Sequence, residues 1–205
     1  MSSASEDKVD EMRLLMVAPP GAGKGTQATK LASHYGIAHL SSGDLFRHEI
    51  SAGTPIGREA AGYLERGDLV PDQLVMDMLA KPILEAAARG GYVLDGFPRT
   101  LAQAEEAYEM AQKVSGVELQ AVVHLEVSRE ELLRRLLGRA TTDGRRDDTG
   151  PVIEHRLDVY RTETAPMLEF YAARGLVIDI DGEQPVNDVF SAIVGAIDAL
   201  RAGLV

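Results

Sequence analysis

Ala18-Pro19-Pro20-Gly21-Ala22-Gly23-Lys24-Gly25-Thr26 follows the short apolar run Arg13–Val17 directly and opens a helical stretch over Gln27–Tyr35. A strand, a glycine-rich turn and a helix in that order form a cradle for an anion. Glycines let the backbone wrap a phosphate without Cβ clashes, and the turn's N–H groups and the helix N-terminus supply partial positive charge. In such a loop the lysine reaches the β- and γ-phosphates of a nucleotide, and the threonine ligands Mg²⁺ directly or through water. Gly21, Ala22, Gly23, Lys24, Gly25 and Thr26 are therefore the candidate nucleotide-binding residues. Two positions depart from the general G-x-x-x-x-G-K-[ST] pattern: Ala18 stands where the first glycine is expected, and Gly25 separates the lysine from Thr26. If position 18 requires a positive φ, alanine strains the loop by ~1 kcal/mol or more; at an ordinary φ it is harmless.

Outward from this loop, four further uninterrupted apolar runs predict buried strands: Ile37–Leu40, Tyr92–Leu94, Ala121–Glu126 and Leu176–Ile180. Helical stretches are expected at Leu74–Arg89, Leu101–Lys113, Arg129–Arg139, Ile153–Ala173 and Val186–Ala202. Strand and helix alternating in this way predict an α/β fold, a five-stranded parallel sheet with helices on both faces. Two segments break the rhythm. Residues 41–70 are rich in Gly, Ser and charge, with short helical pieces, and residues 139–151 read as a short polar loop. Residues 1–11 are polar and acidic, without an apolar signal region, and read as an extension of one domain spanning 12–205. Within it, 12–40, 71–138 and 152–205 form the core, and 41–70 and 139–151 are insertions on it.

Composition narrows the function classes. The net charge of −11 argues against a nonspecific nucleic-acid or membrane surface. The absence of cysteine excludes disulfides, a thiol nucleophile and a thiolate zinc site, and it fits a reducing, cytoplasmic compartment. The five lysines are outnumbered by sixteen arginines, whose planar fork suits phosphate and carboxylate. Neither a repeat nor a low-complexity tract is present.

Four further motifs, in order with the phosphate loop across about residues 13–190, make the chain resemble the adenylate kinases within the wider nucleoside-monophosphate kinases. In that family the loop ends Gly-x-Gly-Lys-Gly-Thr, as Gly21–Thr26 does. Leu40-Ser41-Ser42-Gly43-Asp44-Leu45-Phe46-Arg47 resembles the segment after the second strand, which places Ser42 by the AMP base region and Arg47 on the AMP phosphate; read alone, it is a helix start capped by Ser42 or Asp44. Gly67-Asp68-Leu69-Val70-Pro71 resembles the end of the AMP-binding insert, so Asp68, Leu69 and Val70 line the adenine pocket. Tyr92-Val93-Leu94-Asp95-Gly96-Phe97-Pro98-Arg99-Thr100, with Gln103, resembles the family's next motif, which implies Asp95 on Mg²⁺ through water, Gly96 in the AMP site, Arg99 on the acceptor phosphate, and Gln103 reading adenine. Uridylate and cytidylate kinases tend to carry asparagine where Thr100 stands. Arg135 and Arg139 on one helix, Arg145 with Arg146-Asp147-Asp148 in the polar loop, and Arg156 on the next helix resemble a short-form lid. There Arg135 stacks on the ATP adenine, while Arg139, Arg145 and Arg156 surround the transferring phosphoryl group, the neighbouring aspartates orienting them.

The resemblance thus implies transfer of a phosphoryl group from ATP to AMP, with Mg²⁺ and without zinc, by a cytoplasmic monomer. Lys24, Arg99, Arg139, Arg145 and Arg156 are the expected catalytic residues. Phosphoryl transfer is accelerated mainly by positioning and charge stabilisation, and the acceptor is already an anion. No strong base is needed, and His34, His39, His48, His124 and His155 read as structural or surface residues. A kinase of the same fold preferring UMP or CMP, and a member weakened by Ala18, are the alternatives. A GTPase switch lacks its Asn-Lys-x-Asp string, since Asn187 is the only asparagine.

Overall fold

Strand β1 (Met12–Val17) is buried along its whole length, which explains why its sequence does not alternate and is apolar at every position but Arg13, whose Nε donates to the Glu118 carbonyl. It lies at the centre of a five-stranded parallel sheet ordered β2-β3-β1-β4-β5, with β2 at Ala38–Ser41, β3 at Gly91–Asp95, β4 at Ala121–Glu126 and β5 at Val177–Asp181. This computed structural model describes residues 11–142 and 150–203. The chain leaves β1 for β2 on one side, and after β3 it goes to β4 on the other. The strand order reverses at β1, so the crevice above its carboxyl end is where an open α/β sheet binds its ligand. The phosphate loop occupies that crevice.

Helices cover both faces. On one, α1 (Lys24–Tyr35), α6 (Arg129–Thr142), α7 (Gly150–Val159) and α9 (Val186–Arg201) pack through Leu31, Leu136, Ile153 and Ile193 onto Leu14, Met16 and Val123. On the other, α4 (Asp72–Ala87), α5 (Leu101–Lys113) and α8 (Pro166–Ala172) bring Ala86, Ala104 and Met167 against Leu15, Val17 and Val122. A smaller cluster of Phe46, Ala60, Val70, Val75, Leu79 and Phe97 fastens the first insertion to the core.

That insertion is two helices, α2 (Ser42–Ser51) and α3 (Pro55–Arg66), rather than scattered helical pieces. Each starts on a side-chain cap. The cap of α2 is Ser41, which accepts from the Asp44 amide, so neither Ser42 nor Asp44 plays that part. Thr54 caps α3, and Gly57 lets the two helices cross where a Cβ would lie 2.2 Å from the Glu49 carbonyl oxygen.

Two expectations need correction. The polar loop expected over 139–151 is helical at both ends, because α6 runs on to Thr142 and α7 begins at Gly150. The single helix expected over Ile153–Ala173 is interrupted by a π-turn at Tyr160–Thr164, where the Ala165 amide donates to the Tyr160 carbonyl. Pro166, next in the chain, has no N–H to continue the ladder, and the wider turn absorbs the missing bond.

Candidate active site

The loop after β1 owes its shape to two glycines. Gly21 has φ 87° and Gly23 φ 92°, and Gly23 starts α1 without any side-chain cap, leaving that helix's first amides directed into the crevice. A Cβ on Gly21 would also lie 2.7 Å from Leu136 Cγ. Among the described residues no non-glycine has a positive φ, so Ala18 sits in an ordinary conformation, with its methyl buried in the core cluster. The strain that an alanine there could have caused is absent.

At the end of β3, Asp95 faces this loop. Its Oδ1 lies 2.7 Å from Lys24 Nζ, and His39 Nε2 is 3.7 Å from Oδ2. Burial raises the Asp95 carboxyl, but Lys24, His39 and Arg99 outweigh it and hold the group well below the usual carboxylate range. Lys24, Thr26 and Asp95 line a cavity of about 610 Å³ with Arg47, Arg99, Arg135 and Arg156. Burial lowers the Arg99 pKa, Asp95 opposes this, and Arg156 and Arg47 lower it further. Three guanidinium groups therefore repel one another across an opening built to take negative charge.

Local contacts steer Arg99, Arg47 and Arg135. Arg99 Nε donates to the Gly96 carbonyl at 2.7 Å, the same oxygen that accepts from Ser42 Oγ at 2.7 Å. Gly96 has φ 86°, and a Cβ there would collide with both partners. Arg47 pairs with Asp44 one turn earlier. Arg135 Nε binds Glu131 Oε1 at 2.6 Å while its Nη1 reaches the Gly182 carbonyl at 3.0 Å, beside Ala22. Hydrogen bonds from Arg134 and Arg135 draw the Glu131 carboxyl down to about 2.

A smaller recess adjoins the cavity, lined by Ser42, Leu69, Val70, Gly96, Arg99 and Gln103. Asp68 also borders it, but its carboxylate is held by Arg66 Nε at 2.8 Å and by His155 Nε2 at 2.8 Å. Gly67 lies against α7, where a Cβ would be 2.6 Å from Arg156 Cγ. The insertion therefore rests on the helix that carries Arg156. The Arg139 side chain and the whole of Arg145 lie outside the described residues.

A sequence model of the adenylate kinase family matches residues 16–176. The chain belongs to the adenylate kinase family. The adenylate kinase of Thermobifida fusca is 50% identical over 178 residues, 87% of this chain and 94% of its own. That of Micrococcus luteus is 46% identical over 93% of this chain and 92% of its own, and that of Prochlorococcus marinus 47% identical over 90% and 96%. Family motifs do not single out several residues that the adenylate kinase fold brings to this site. Asp72 accepts from buried Gln103, and Tyr160 and Thr164 of the π-turn border the large cavity. Tyr160 Oη is 3.2 Å from His124 Nε2, and His124 Nδ1 is 2.8 Å from Asp179, so the π-turn is tethered to the sheet edge. His39, His124 and His155, expected as structural or surface residues, all touch groups at or next to the site. Only their strand and helix positions relative to Asp95, Tyr160 and Asp68 reveal this, and no local pattern carries it.

Proposed function

We propose that this chain transfers the terminal phosphoryl group of ATP reversibly to AMP, giving two molecules of ADP. The observation that carries the reading is the single cavity in which the loop's Lys24 and Thr26 face Arg47, Arg99 and Arg156, cations drawn from four separate stretches of chain. Two phosphorylated ligands meeting there bring several negative charges, and pre-placed cations stabilise the charge that spreads over the transferring group. Gly21–Thr26 hold the ATP phosphates, with Arg135 toward its base. Ser42, Arg47, Asp68, Leu69, Val70, Gly96, Arg99 and Gln103 receive AMP. Arg99 and Arg156 flank the phosphoryl group, joined in this reading by Arg139 and Arg145.

The oxygen donors beside the loop suit Mg²⁺. Thr26 is exposed in the cavity and Asp95 is kept ionised next to it, a sparse set that leaves positions for water and phosphate. These two residues would hold the ion, which supplies charge neutralisation on the phosphates when bound. No thiolate is available for zinc.

Water must be kept from the same site, or ATP would be hydrolysed. The contact of Gly67 and Asp68 with α7 narrows the opening from the insertion's side. A cysteine-free chain fits a reducing, cytoplasmic compartment, the family resemblance and the lack of an apolar heptad fit a monomer, and among the described residues no helix is long and apolar enough to cross a membrane. The test is ADP formation from ATP with AMP, UMP or CMP, each with Mg²⁺ and with EDTA. Efficient Mg²⁺-dependent turnover with AMP alone is expected; equal rates with UMP or CMP overturn the assignment.

A further inference from the structure

Gln103 is 4% exposed, yet both ends of its amide are engaged within the protein. Its Oε1 accepts from the Arg99 backbone amide at 2.7 Å, and its Nε2 donates to Asp72 Oδ1. These partners cannot be exchanged. The Arg99 amide can only donate, and a carboxylate can only accept, so the amide is locked in one of its two orientations. Each end keeps one unused position: a lone pair on Oε1 and an N–H on Nε2. Gln103 borders the small recess between the insertion and β3, so that acceptor–donor pair is what the recess offers to a base.

We infer that Asp72 is a specificity-determining positioning residue, which fixes the Gln103 amide so that the site accepts adenine and rejects bases with the opposite edge polarity. This rests on the AMP reading above and deepens it. An adenine edge carries an amino donor beside a ring-nitrogen acceptor, and it complements the unused lone pair and N–H as they stand. Hypoxanthine has the same size and shape, but it carries a carbonyl acceptor beside a ring N–H. To serve it, the amide must turn over. Nε2 would then face the Arg99 N–H, donor against donor, and Oε1 would face the Asp72 carboxylate, acceptor against acceptor. A recess whose polar groups are fixed in advance discriminates between isosteres far better than one whose amide rotates freely. Asp72 opens α4, some thirty residues before Gln103 in the chain, and Pro71 fixes the entry to that helix.

The test compares kcat/KM for AMP with that for IMP, at saturating ATP and Mg²⁺, in wild type, Asp72→Asn, Asp72→Ala and Gln103→Leu. IMP is also scored as a competitive inhibitor of AMP. An asparagine at position 72 can donate or accept and releases one side of the lock; alanine removes that side. The AMP:IMP ratio is expected to fall about tenfold in both Asp72 variants and further in Gln103→Leu. IMP inhibition should tighten in parallel. The change in AMP turnover should fall on KM for AMP, with kcat and KM for ATP within about threefold of wild type. A purely structural loss at the start of α4 would instead lower turnover with both acceptors and leave the ratio intact. If Gln103→Leu collapses the ratio while both Asp72 variants keep it within twofold of wild type, the inference falls and the AMP reading stands. If Gln103→Leu also leaves the ratio unchanged, the inference falls with the assignment of Gln103 to the base, while AMP turnover by wild type still carries the phosphotransfer reading; if wild type does not phosphorylate AMP, both fall together.

Discussion

The two halves of the cavity are made of different material. On the side of β1 the wall is backbone: a loop bent by Gly21 and Gly23, and the uncapped start of α1. Opposite, the wall is made of side chains: Arg47 on α2 and Arg99 after β3, with Gln103 in the adjoining recess, each aimed by a neighbour. The backbone half is wedged into the main core through Ala18, Ala22 and Leu136, whereas the side-chain half is shared between the insertion, which carries Arg47 and is fastened by a small cluster around Phe46 and Val75, and the segment after β3, which carries Arg99 and Gln103. A rigid backbone cradle suits phosphates that every nucleoside triphosphate shares. Side chains fixed by hydrogen bonds suit the half that must tell one monophosphate from another.

Substitutions can break that contrast or sharpen it. The largest effect is expected for Lys24→Met. On the proposed reading its charge acts on the transferring group while the backbone cradle survives the substitution, so kcat should fall ~10³-fold with a change in ATP affinity of only a few-fold. Stopped-flow or coupled kinetics with an independent ATP titration separate the two quantities, and an equal loss in both would erase the distinction between cradle and cation. Arg47→Ala should act on the other half alone, raising KM for AMP ~10–50-fold with KM for ATP unchanged.

Asp95 joins the halves, and its effect is on stability. Its folded pKa lies below the unfolded value of about 3.9, so it stabilises the fold fully above that pH and loses this as pH falls toward the folded value. Asp95→Asn should therefore be about 1–2 kcal/mol less stable than wild type near neutrality, with the gap closing in strong acid, as measured by urea unfolding across pH. The smallest effect belongs to Ala18→Gly. Because Ala18 has an ordinary φ and a buried methyl, glycine should cost about 0.5–1 kcal/mol of stability and leave turnover within twofold.

Much of this was legible before any coordinates. The strand–loop–helix opening and the runs over Ala121–Glu126 and Leu101–Lys113 match β4, α5 and their neighbours to within a residue or a few, because strands buried on both faces leave an unbroken apolar signature. The π-turn was not legible: the apolar period over Ile153–Ala173 continues through it, and only the missing amide of Pro166 hints at a break. Nor were the locks on Asp95 and Gln103. Lys24 and Asp95 are paired because β3 lies beside β1, and Asp72 meets Gln103 because α4 and α5 begin at the same corner; both facts belong to topology. Resemblance alone names the lid arginines, and among the described side chains Arg135 and Arg156 line the cavity.

Gly67 borders the cavity, and its φ of 79° reserves the position for glycine. Since a methyl group there would press into Arg156 and Val152, the fit between the insertion and α7 is limited by a single hydrogen atom. Any bulkier residue acts as a doorstop. The cavity would stay ajar by roughly the width of a methyl, and solvent would compete with the acceptor for each phosphoryl group, so a change in the residue that backs Arg156 would turn a transferase partly into a wasteful hydrolase.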